Sequence, residues 1–171
     1  CQQYDDEARW LIALISDTGM RLSEAAGLIK DDLCLDHEHP HIILSVHPWR
    51  RLKTKASERA IPLVGEALWA IRQAKDATPS QFLFPRYCNE TSCKSNSASA
   101  ALNKWLSSRM PNGCVLHSFR HSIRDRLRAV ECPHDIMDRL GGWLVGGIGE
   151  SYGSGYPVEV LSKWMRKGVL A

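Results

Sequence analysis

His117-Ser118-Phe119-Arg120 opens the stretch on which the rest of the chain is best read. Its pattern predicts a helix from about Ser118 to Val130. Residues three apart share a helix face, so the His117 imidazole and the Arg120 guanidinium can reach one ligand. The helix is also basic, with Arg120, Arg124, Arg126 and Arg128 against the single acid Asp125. A local cluster of this kind suits a polyanion. A His and an Arg at this spacing occur together in many chains, so their meaning depends on what surrounds them.

Three further pieces surround them. Upstream, Thr18-Gly19-Met20-Arg21-Leu22-Ser23-Glu24 places an arginine at a turn before a short helix, with a glutamate three residues on to orient it. Lys53-Thr54-Lys55 then precedes Arg59-Ala60-Ile61-Pro62-Leu63. This is a basic loop leading into a β-rich segment, and Arg50 and Arg51 add to its charge. Downstream, Leu140-Gly141-Gly142-Trp143 is followed nine residues later by Tyr152.

Taken in this order, the four pieces resemble the signature of the tyrosine recombinases, the phage-integrase family. The resemblance spans about Asp5 to Lys167. It implies that Arg21 and Arg120 clamp a phosphate, supported by Glu24, and that Lys53 is the hairpin lysine. Lys55 fits that role less well, because Lys53 precedes a threonine as in many relatives. It further implies that His117 is the histidine of the pair and that Tyr152 is the nucleophile. Trp143 takes the position where many relatives carry a second histidine, and its indole N–H can still donate a hydrogen bond. Arg50, Arg51, Lys55 and Arg124 are expected to contact DNA.

The chemistry explains the residue types. Attack on a phosphodiester builds negative charge on the non-bridging oxygens, and guanidinium forks answer it without losing their protons. A phenol, with a pKa of about 10, needs a proton acceptor, for which His117 is the candidate. The departing 5′ oxygen needs a proton, for which Lys53 is the candidate. The resemblance implies double-stranded DNA and further recombinase subunits, a tetramer on DNA, as partners. It implies no cofactor and no metal. Two other readings share residues with this one: a type IB topoisomerase, and a DNA-binding module without catalysis.

The remainder of the chain bounds these readings. With 171 residues and 44% apolar content, one domain with a sizeable core is expected, spanning residues 1–171. The chain reads as a fragment of a longer protein whose N-terminal DNA-binding domains lie outside it. No apolar run is long enough to cross a bilayer, and a cytoplasmic setting without membrane partners is expected. The six cysteines form no CxxC pair and read as free thiols. His37-Glu38-His39-Pro40-His41 reads as a polar turn rather than a metal site, because Pro40 interrupts the alternation.

Helices are predicted from Asp5 or Asp6 to about Asp17, Glu24 to Ile29, Gly65 to Lys75, Ser97 to Arg109 and Ser118 to Val130, with a short one after Pro133. Strands are predicted at His41–Val46 and Ala60–Leu63, and an exposed loop at Asn89–Ser99. Seven of the 12 glycines fall between Gly141 and Gly155, which predicts a loosely ordered segment there. Pro157 opens a last amphipathic helix, with Val158, Leu161 and Met165 on the face that docks on its own or a neighbouring domain. The class is α+β, mainly α, with one small antiparallel sheet: the fold of a tyrosine recombinase catalytic domain.

Overall fold

Helix α1 (Glu7–Thr18) lies at the centre of the molecule, and its composition explains why. From Trp10 to Ile15 every residue is apolar and buried, and a helix that is apolar all round must be covered on every side. The structure, a computed structural model, describes residues 5–54, 57–143 and 155–170. Asp6 caps α1, its side chain accepting the Arg9 backbone N–H at 3.0 Å. Gly19 ends it in the left-handed region at φ 64°. A Cβ there would run into the Ile123 side chain, so the glycine serves both the turn and the approach of a later helix.

Around α1 pack α2 (Leu22–Ala26), α3 (Gly65–Ala77) and α5 (Ser118–Ala129). The second helix begins at Leu22 rather than Glu24. The Glu24 carboxylate accepts the Arg21 backbone N–H at 3.1 Å, which makes Arg21 the capping position. Helix α4 (Ser95–Leu106) starts inside the stretch expected to be loop. Three antiparallel strands, β1 (Leu33–Cys34), β2 (His41–Leu44) and β3 (Arg59–Pro62), form a sheet in that order. The register pairs Ile42 with Ile61 and Leu44 with Arg59. Among the described residues only β1, two residues long, goes beyond the two strands expected from sequence.

A second apolar cluster joins α5 to α6 (His134–Gly141) and α7 (Val158–Leu170) through Ile123, Leu127, Met137, Leu140, Leu161 and Met165. The last helix thus docks on its own chain. Gly168 permits the approach: a Cβ there would lie 3.0 Å from Leu127 Cδ2. No helix among the described residues is long and apolar enough to cross a membrane.

Cys88 and Cys93 correct the expectation of free thiols, since their sulfurs are joined as a disulfide. The two residues bridge in antiparallel fashion with Cα atoms 4.2 Å apart, which brings the side chains together. The intervening turn is tied by Asn89, whose Oδ1 accepts N–H groups from Thr91 and Ser92. Cys34, Cys114 and Cys132 are free.

Candidate active site

Arg120 sits one turn into α5 and is 5% exposed. Its guanidinium donates to two main-chain oxygens at 2.7 Å each, Gly19 at the end of α1 and Gly141 at the end of α6. Helix C-termini carry partial negative charge, so both carbonyls suit a cation. Among the described residues no carboxylate pairs with Arg120. Its pKa is drawn down to about 10, first by burial and then by the neighbouring charges of Arg21 and Arg59. Among the described residues the site therefore holds positive charge that its acids do not balance.

Arg21 faces the same region from the start of α2. Its Nη1 donates to Glu24 Oε1 at 2.6 Å and to Ser57 Oγ at 3.1 Å. Glu24 is buried. Burial opposes its ionisation, but Arg59 and the hydrogen bonds from Arg21 outweigh it and hold the carboxyl below its ordinary range. His117 precedes α5 and is exposed. The segment before it is anchored from α4, where Asn103 Oδ1 accepts the Leu116 N–H at 2.7 Å. Partial burial lowers the His117 pKa first, followed by the charges of His121, Arg120 and Arg21. Arg21, Arg120 and His117 are thus close enough to feel one another.

Trp143 completes this side. Two guanidiniums lie over its ring, Arg120 at 4.8 Å and Arg124 at 4.7 Å from the centroid. Arg124 also reaches Asp138 at 3.4 Å, so it stands at the rim of the cluster. The two glycines before Trp143 have separate reasons. The Trp143 ring folds back onto Gly141 and leaves no room for a side chain there. Gly142 has φ 60°, and a Cβ on it would lie 2.6 Å from Arg59 Nη1.

Not every expected residue joins the site. Arg50 does not face solvent; it is 1% exposed, bound to Asp32 through both Nη atoms at 2.6 and 2.9 Å and to the carbonyls of Gly27 and Ser45. A guanidinium so enclosed braces the fold and does not meet DNA. Arg51 and Lys53 are exposed, and Thr54 links the hairpin inward through Ser57 Oγ at 3.2 Å. Lys55, Tyr152 and the glycine-rich stretch lie outside the described residues, except for its two ends.

In the sequence Arg59 is one basic residue among several where the basic loop meets the β-rich segment. It is buried at the heart of the site, with Nη2 3.2 Å from Glu24 Oε2. One sequence signal does point to it: in a strand, Arg59 shares a face with Ile61, which is core.

The fold and site define a mainly helical domain built around a cluster of arginines at the junction of α1, α2, α5, α6 and the sheet. A sequence profile of the phage integrase family matches residues 2–152, and the chain belongs to that family, the tyrosine recombinases. No curated protein matches the sequence. Two solved structures of the Tn1549 transposon integrase share the fold. One, in complex with a circular intermediate DNA, is 16% identical with a TM-score of 0.58, over 82% of this chain and 55% of that one. The other, in complex with transposon right end DNA, is 17% identical with a TM-score of 0.53, over 94% and 58%. The chain thus spans little more than half of either structure.

Proposed function

We propose that this chain breaks and rejoins double-stranded DNA as a site-specific recombinase, through a covalent 3′-phosphotyrosine. The observation that carries the reading is Arg120. Its buried guanidinium is held by carbonyl oxygens and has no carboxylate partner among the described residues, beside Arg21 and His117. A diester phosphate supplies the balancing charge, and the transition state, with more charge on the same oxygens, binds more strongly still. Membership of the phage integrase family and the two DNA complexes of the similar Tn1549 integrase support the same substrate.

In this reading the Tyr152 hydroxyl attacks the scissile phosphorus. The new bond joins phosphorus to the phenolic oxygen, and the bond to the 5′ oxygen breaks. The phenolic proton goes to His117, whose lowered pKa keeps the ring neutral and able to accept it. The 5′ oxygen takes its proton from Lys53, and Trp143 flanks the phosphate. Arg51, Lys55 and Arg124 steady the backbone. The covalent link conserves the energy of the broken bond, so rejoining draws on no ATP. Exchange between two duplexes takes one subunit per strand, a tetramer, acting in the cytoplasm.

The test is covalent trapping on a pool of duplexes nicked at a fixed position, with randomised flanking sequence. The chain is expected to form an adduct that Tyr152→Phe abolishes and Tyr156→Phe spares. Binding without an adduct would return the chain to a DNA-binding module. Relaxation of supercoils without resolution of four-way junctions would make it a topoisomerase.

A further inference from the structure

We propose that Arg59 is a positioning residue for the cleavage step, the single side chain that sets the two clamp arginines and the lysine hairpin in one frame. The proposal rests on the recombinase reading above. Its basis is the way one guanidinium divides its donors. Nη2 reaches Glu24 Oε2 at 3.2 Å, Nε reaches the Leu140 carbonyl at 3.0 Å, and Nη1 reaches the Ser57 carbonyl at 2.7 Å. The side chain itself is 0% exposed.

Each acceptor is one step from a residue of the clamp or the hairpin. Glu24 holds Arg21 through both its side chain and its backbone N–H. Leu140 precedes Gly141, whose carbonyl holds Arg120. Ser57 places its hydroxyl between Arg21 and Thr54, the neighbour of Lys53. The three segments lie far apart in sequence, and Arg59 bonds to each. Gly142 closes over the same guanidinium, since a Cβ there would lie 2.9 Å from Arg59 Cζ. Arg59 has no open path to a phosphate, so it acts through the others. A planar fork with fixed donor directions suits this task, and a lysine, with its donors on one atom, cannot reproduce it.

The experiment uses Arg59→Lys and Arg59→Met in this chain, with the duplex that the wild type traps best. Single-turnover cleavage at saturating DNA, the dissociation constant for the same duplex and thermal unfolding are measured together. Displacing a reacting group by about 1 Å costs on the order of 100-fold in rate. Arg59→Lys is therefore expected to remain folded, bind within a few-fold of wild type and cleave roughly 10- to 100-fold more slowly. Arg59→Met is expected to be slower again. Should Arg59→Met fail to fold, the Arg59→Lys ratio of cleavage to binding decides alone. Wild-type cleavage by folded Arg59→Lys, or a loss matched by an equal loss of DNA affinity, overturns the proposal. An absence of any wild-type adduct instead strikes the recombinase reading itself.

Discussion

His117 carries the sharpest residue-scale expectation. Its ring lies beside Arg120, Arg21 and His121, whose charges add to the effect of burial in lowering its pKa. In the free protein its NMR titration midpoint should fall below the ordinary value of about 6.5. The sign for stability follows. The unfolded chain binds this proton more readily, so the contribution is fully present above the ordinary value and is lost as pH falls through the lowered one. Adding pyrophosphate should move the midpoint upward, because an anion between Arg21 and Arg120 offsets the charges that depress it. A midpoint that stays in place at saturating pyrophosphate would separate His117 from the arginine cluster.

The element that most depends on packing is α7. Leu161 and Met165 are each 1% exposed and fill the cluster built by α5 and α6. Truncating either to alanine leaves a cavity, at a cost of about 2–5 kcal/mol. Urea unfolding of Leu161→Ala and Met165→Ala checks this. Because α7 also packs against β3, which begins with Arg59, cleavage should fall along with stability. Stability near wild type in both variants would mean that the helix is only loosely seated on this chain. Tyr156 adds a tie just before the helix, donating its hydroxyl to the Asp135 carboxylate at the start of α6.

At the scale of the whole molecule, Arg21 and Arg59 share the buried acid Glu24, while the neighbouring Arg120 has no carboxylate partner among the described residues. Such a domain should be stabilised by an anion that binds the folded state alone. At about ten times its dissociation constant the gain is roughly 1.4 kcal/mol, or about 3–6 °C in Tm for a domain of this size. Thermal unfolding in pyrophosphate against sodium chloride of equal ionic strength measures it. Arg120→Gln should lose the increment. An equal rise in the variant would assign the effect to anion exclusion from the surface rather than to the site.

The motifs of the chain name the candidate residues, and its periodicities give the order of the elements. Phosphate chemistry needs particular side chains, and helix and strand periods are local properties of the chain. Arg21, His117 and Arg120 could be named from their motifs, as could α1 with its Asp6 cap and the apolar face of α7. Only the tertiary structure decided what each charge does. Arg50 and Arg59 read alike in one basic loop, yet one braces the fold against Asp32 and the other sits beneath the site. Their partners lie 18 and 35 residues away, beyond any local pattern. The start of α3 shows the same dependence. Its Glu66 N–H is capped by Asp17 from α1, across 49 residues. The Cys88–Cys93 disulfide, though local, waited on the antiparallel bridge that sets its two residues face to face. A side chain's type is written in the chain, but its partner is chosen by whatever the fold brings within about 3 Å, the reach of a hydrogen bond.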